Sequence, residues 1–159
     1  MVNDGTSFRE CLSFANSHRF CTIATVDRDQ PRVRIVRLWF ADDTGFYFQC
    51  GTYKPYYKQL QNNKKVEVCF FNKAAITNKP KDENGEPLKV LRVAGKIEFI
   101  DDMELRARCI KDTPAIMKIT GVTGPEDRGF AVFRIYSGEA YFWDRDSIEK
   151  ESGLKKIKF

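Results

Sequence analysis

The sequence predicts a mainly β protein, a small antiparallel barrel flanked by short α-helices. Three observations carry this. Short stretches rich in β-branched and aromatic residues alternate with period two, as where Leu91, Val93, Ile97 and Phe99 interleave with Arg92, Lys96 and Glu98. Turn signals separate such stretches at regular spacing, which favours a barrel over βαβ units. The 13 phenylalanines suit a core packed between pleated surfaces. At 159 residues, without an internal repeat, the chain is expected to form one domain over residues 1–159.

The elements follow in order. Ser7 and Glu10 have the spacing of a capping box, and Phe8, Cys11, Leu12 and Ala15 recur at helical intervals, so a helix is predicted to end near Asn16. Residues 20–26 read as a strand, 27–31 as a turn and 32–40 as a second strand. In that second strand the apolar phase slips, from odd positions at Val33 and Ile35 to even ones at Val36, Leu38 and Phe40. A slip of this kind means a bulge or burial on both faces, and a bulge would put Arg34 and Arg37 on one side. A hairpin at 42–45 leads to a third strand, 46–50, and Pro55 opens a short helix reaching Leu60. Residues 65–71 form another strand. The polar segment after it, with 73–87 as an insertion, reads as an exposed loop.

The clearly alternating strand around residues 91–99 comes next. Asp101 and Glu104 then have capping-box spacing, and Thr113-Pro114 opens a further helix that Gly121 ends. Residues 130–136 and 139–144 are expected to make a closing hairpin across Ser137-Gly138. The tail, 145–159, ends in a lysine-rich stretch expected on the surface. The total is about six or seven strands.

Composition removes several chemistries. Five cysteines without a C-x-x-C pair argue for reduced thiols, not a disulfide frame or zinc site. His18 is the single histidine, so a Ser-His-Asp centre must use it and a His-rich metal site cannot form; no metal is expected. Neither a membrane-length apolar run nor a leader pattern is present, which predicts a soluble, cytoplasmic protein without membrane contact. The net charge of +5 fits a phosphorylated cofactor, nucleic acid or a solvated surface.

Position narrows this. Arg34, Arg37, Thr52, Lys54 and Lys58 place cations and a hydroxyl around the Gly51 loop, which feeds a helix N-terminus. Phosphate recognition needs that mixture of guanidinium, ammonium and backbone donors. On these residues alone, a solvated basic hairpin tip fits equally well.

The ordered segments Q-P-R-V-R-I-V-R-L, G-F-Y-F-Q-C-G-T-Y-K and Y-K-Q-L-Q-N-N-K-K-V-E-V resemble the pyridoxamine 5′-phosphate oxidase-like FMN-binding split barrels. V-A-G-K-I-E-F-I-D-D-M-E-L and G-E-A-Y-F-W-D extend the likeness over roughly residues 8–144, nearest the haem/flavin-containing, nitroimidazole-resistance-like branch. The resemblance implies a six-stranded Greek-key split barrel and a homodimer holding FMN between protomers. It places Arg34, Ile35 and Val36 along the flavin, with Arg37 beside them and Arg34 toward the phosphate. Tyr47 and Phe48 match the strand beside the ring and ribityl chain. Thr52, Tyr53 and Lys54 match the phosphate loop, with Lys58 as the alternative phosphate lysine. Trp143 would stack on the partner's flavin. Haem, with His18 as a ligand, or a deazaflavin are the alternative cofactors.

The family's oxidases carry a lysine where this chain has Trp39, and a C-terminal arginine-x-histidine pair that a chain without histidine after His18 lacks. Vitamin B6 oxidation is therefore not expected. The implied activity is FMN-dependent oxidoreduction of a small electron-poor substrate. The alternatives are a non-catalytic flavin-binding or redox-sensing module and, from another class, a nucleic-acid-binding barrel.

Overall fold

The computed structural model describes residues 7–144 and 154–159. Its helices are α1 (Phe8–Ser17), α2 (Pro55–Asn62), α3 (Lys73–Thr77), α4 (Met103–Asp112) and α5 (Ala115–Thr120). Its strands are β1 (Phe20–Asp27), β2 (Gln30–Arg37), β3 (Phe40–Asp42), β4 (Gly45–Gly51), β5 (Lys65–Phe71), β6 (Lys89–Ile100), β7 (Phe130–Asp144) and β8 (Ile157–Lys158). They form one eight-stranded antiparallel sheet in the order β2-β1-β5-β6-β7-β4-β3, with β8 added to β7.

The sheet is open, so the six-stranded barrel expected from the sequence is corrected in two places. The first is the strand read over 32–40, which breaks at Leu38-Trp39. There the backbone leaves β1 and crosses to β4: Leu38 N donates to Arg19 O (2.8 Å) and Trp39 N to Tyr47 O (2.9 Å). The slipped apolar phase thus marks a change of pairing partner, not a bulge. β2 pairs with β1 in unbroken register from Phe20↔Arg37 to Asp27↔Gln30, which leaves Arg34 and Arg37 on opposite faces. The second is the tail, expected on the surface. Its end returns as β8, and Phe159 stacks on Phe8 at 4.9 Å and meets Phe46 edge-on at 5.5 Å.

The closing hairpin is corrected as well, because residues 130–144 run as one strand. Gly138 lies opposite Gly95, and a Cβ on it would stand 2.1 Å from Ala94 O and 2.7 Å from Gly95 Cα. The two glycines therefore permit a close backbone approach instead of marking a turn. A register shift at Lys96/Ile97 lies beside that contact. β7 keeps β6 on one edge throughout and takes first β4, then β8, on the other.

Two smaller differences concern caps and loops. Asp102, not Asp101, caps α4 by accepting from Leu105 N (2.7 Å). The segment 73–87 is not loop throughout, because it opens with α3. Asn72 caps that helix, accepting from Ala75 N (3.1 Å), and its amide donates to Pro87 O (2.7 Å), so one buried side chain ties both ends of the segment.

The core explains the shape. Cys21 and Ile23 of β1 share one apolar cluster with Phe46 and Phe48 of β4, although three strands, β5, β6 and β7, lie between β1 and β4 in the sheet order. The sheet must therefore curl until its two ends face each other across that core. α1 and α2 contribute Cys11, Leu12, Ala15, Tyr56 and Leu60. A second cluster on the other face holds Trp39, Tyr47, Cys109, Ile116, Val122, Phe130 and Val132, where α4 and α5 cover β4 and β7. No described helix is long and apolar enough to cross a membrane.

Candidate functional site

Curling brings the edge strand β2 toward β4, and α2 starts beside the opening. There Arg34, Ile35, Val36, Arg37, Gln49, Cys50, Lys54 and Tyr56 line a cavity of about 320 Å³. Five of the sequence-predicted residues meet in it: Arg34, Ile35, Val36, Arg37 and Lys54.

Arg34 is braced from below. Its Nη1 donates to Thr25 Oγ1 (2.8 Å) and its Nη2 to Gln59 Oε1 (2.7 Å), while Thr25 Oγ1 donates to the same Gln59 oxygen (2.7 Å). The guanidinium also lies 4.6 Å from the centre of the Tyr56 ring. Thr25 and Gln59 are buried, so this network holds a cation at the lip of the core in one orientation. Desolvation by burial lowers the Arg34 pKa, yet an arginine stays protonated. Two of its five N–H donors are spent on the brace, which leaves three for a ligand.

The loop into α2 follows from its residues. Gly51 has no Cβ, which would meet the Tyr53 ring at 2.5 Å, so the exposed Tyr53 can fold back over it. Lys54 N donates to Gly51 O (3.2 Å), and Lys54 occupies the N-cap with Pro55 after it. No side chain caps α2, so the positive end of its dipole is not neutralised locally. Lys54 is exposed and lines the cavity. Lys58 is also exposed but is not part of the lining.

The remaining expected residues lie elsewhere. Thr52 turns away: its N donates to Gly129 O (3.0 Å) and its Oγ1 to Arg128 O (2.7 Å). It lines a separate cavity of about 200 Å³ with Arg106 and Phe130. Tyr47 belongs to the second cluster, stacked on Phe40 at 4.3 Å, with its hydroxyl accepting from Arg134 Nη1 (3.0 Å). Phe48 is inside the main core, stacked on Phe133 at 5.4 Å. Trp143 is half-buried opposite Val90, on strands separated from β2 by β1 and β5.

Sequence reasoning missed Thr25, Gln59, Gln49 and Tyr56. Thr25 and Gln59 read as ordinary strand and helix residues, and only the fold shows them buried beneath Arg34. The signal for Tyr56 was its place directly after Pro55, inside the first turn of α2. Its hydroxyl is buried without a partner among the described residues, and burial pushes its pKa upward. Burial likewise pushes the Cys50 thiol up to about 12. His18 lies outside this cavity, its Nδ1 2.9 Å from Phe14 O. Among the described residues no group of three or more His, Cys, Asp or Glu side chains could hold a metal ion.

Comparison with known proteins agrees with this fold. The family described as pyridoxamine 5′-phosphate oxidase matches residues 8–144. This chain belongs to that family of split-barrel proteins. A NimC/NimA family protein from Clostridium acetobutylicum superposes with a TM-score of 0.72, at 21% identity over 95% of this chain and 92% of that one. General stress protein 26 from Bacillus anthracis gives 0.68, at 15% identity over 96% and 98%. The haem storage protein HutZ from Vibrio cholerae gives 0.58, at 18% identity over 86% and 92%. A search of curated proteins by sequence finds no match. These identities speak for a shared fold.

Proposed function

We infer that this chain is an FMN-binding homodimer that passes electron pairs to a small electron-poor acceptor. The observation that carries the reading is the convergence of Arg34, Arg37 and Lys54 on one cavity between β2 and the start of α2. The donor set fits a phosphate monoester: a braced guanidinium, a second guanidinium, an ammonium and an uncapped helix start. Arg34 and Lys54 would hold the phosphate, and Ile35 and Val36 would flank the ring.

FMN, when bound, supplies the two-electron chemistry. The protein's part is to fix the cofactor and limit access to it. Cys50 stays a neutral thiol at pH 7 and the Tyr56 pKa is raised further, so neither wall residue serves as an acid or base near neutrality. Protons would come from solvent. That same feature favours a second reading, a flavin carrier or sensor without turnover.

Trp39 supports setting aside vitamin B6 oxidation. Its indole is buried and donates to Asp112 Oδ2 (3.1 Å), so it offers no cation for a substrate phosphate. A second copy is the expected cover for the outer face of β1 and β2, where Phe20, Val33 and Ile35 are 64%, 67% and 73% exposed.

Purified protein tests the reading. A flavin spectrum with releasable FMN is expected; colourless protein that also fails to take up added FMN overturns it. Steady oxidation of a nicotinamide donor with a nitroaromatic or quinone acceptor is expected of the enzyme, and a single-equivalent burst of the carrier.

A further inference from the structure

A second cavity, of about 340 Å³, adjoins the first and is lined by Arg19, Arg37, Trp39, Phe40, Arg108, Asp112 and Thr113. Arg37 lines both, so the two share a wall. We propose that this second cavity binds the carboxylate of a small aromatic acceptor, so that the protein prefers aryl carboxylates to neutral rings. The substrate preference rests on the flavin reading, whereas the binding itself does not.

The charge pattern points to an anion. Three guanidiniums come from three separate places, the residue before β1, the strand β2 and the helix α4, and one carboxylate faces them. That carboxylate is already engaged: Asp112 Oδ2 lies 3.3 Å from Arg108 Nε and accepts the Trp39 indole N–H at 3.1 Å. Among the described residues Arg19 Nε donates only to the carbonyl of Asn16 (3.3 Å), and Arg37 lies over the Phe20 ring at 5.9 Å. Neither has a carboxylate partner among the described residues. Arginines on an open surface are satisfied by water. Here they surround a concavity of small-molecule size, and like charges brought together gain from a shared counter-ion.

The walls point to a ring. Arg108 lies 4.6 Å from the Phe40 ring centre and 5.3 Å from that of Trp39, which orients its planar fork. Phe40 is backed in turn by Tyr47. The volume suits one substituted ring. Asp112 in the same wall opposes a dianion, so a planar monoanionic carboxylate fits better than a phosphate ester. A ligand seated here lies against Arg37, next to the cavity that the flavin reading fills.

The full chain would be titrated by calorimetry with 4-nitrobenzoate, nitrobenzene and 4-nitrophenyl phosphate. Quenching of Trp39 fluorescence in a Trp143→Phe background reports where binding occurs. The expected result is at least about tenfold tighter binding of 4-nitrobenzoate than of either comparator, with Trp39 quenched. Arg108→Gln and Arg19→Gln should each weaken it about tenfold while FMN uptake is unchanged, and circular dichroism checks that both variants fold. Arg108→Lys should restore part of the affinity. Equal affinity for nitrobenzene, tighter binding of the phosphate, or binding that ignores both substitutions overturns the proposal. Failure to take up FMN with 4-nitrobenzoate binding intact would sink the flavin reading alone.

Discussion

At the scale of single residues, the cavity lining includes Lys54, the lysine that the sequence favours, and not its alternative Lys58. Both Lys54 and Lys58 were admissible phosphate ligands from spacing, but only Lys54 reaches the lining, because it caps α2 while Lys58 sits a turn further along the helix. Lys54→Ala is expected to weaken FMN binding by about 1.5–3 kcal/mol, the usual worth of a charge-assisted hydrogen bond, and Lys58→Ala to change it little. Fluorescence titration of FMN against both variants measures this, and the reverse ranking would assign the phosphate to Lys58. Arg34 was legible because it belongs to the set of cations around the Gly51 loop and the resemblance directs it toward the phosphate. Its brace was not: Thr25 and Gln59 are types that sit on surfaces as a rule, and their burial depends on how β1 and α2 meet.

At the scale of elements, the sequence showed most strands and the start of α1, and placed the cap of α4 one residue early, because alternation and caps are local signals. It failed where the signal depends on a partner. Gly138 beside Ser137 has the composition of a turn, and only Gly95 on the facing strand reveals a close backbone crossing. Gly138→Ala is accordingly expected to destabilise the protein by up to about 3 kcal/mol, since the atoms its Cβ meets are backbone and cannot step aside. Chemical denaturation checks it; a wild-type midpoint would mean that β6 and β7 lie further apart. The break at Leu38-Trp39 is a similar case. Local phase recorded that something changed, but the exchange of β1 for β4 is a tertiary event.

At the scale of the whole molecule, two further outcomes follow. Val33 is exposed and outside the cavity lining, so Val33→Lys should leave the fold and the phosphate contacts intact. If the outer face of β1 and β2 joins two copies, the variant should shift the protein from dimer to monomer in light-scattering chromatography. An unchanged mass for both proteins would place the dimer contact elsewhere. The second outcome concerns pH. Burial pushes Cys11 up to about 11 and Cys21, Cys50 and Cys109 up to about 12, from an ordinary value of 9.0. The unfolded chain releases these protons from pH 9 upward while the folded chain keeps them. Their contribution is therefore intact below pH 9 and is lost as pH rises toward 12, by at most about 1.4 kcal/mol per pH unit for each thiol. Urea midpoints measured between pH 8 and 11 should fall with a steepening slope, and Cys21→Ala should flatten it.

The anchoring of Thr52 to Arg128 and Gly129 has a kinetic side. β4 pairs with β7, its partner from Phe46↔Ile135 to Gly51↔Phe130, across some eighty residues of intervening chain. Contacts so distant in sequence form late and slowly, because a long loop must close before they give any return. The loop leading to Lys54 cannot settle until that closure happens, so a half-folded chain would hold β1, β2 and β5 yet have no place for a phosphate. Cofactor added during refolding should leave the folding rate unchanged and slow only the reverse reaction, acting as a latch on the last pairing to form.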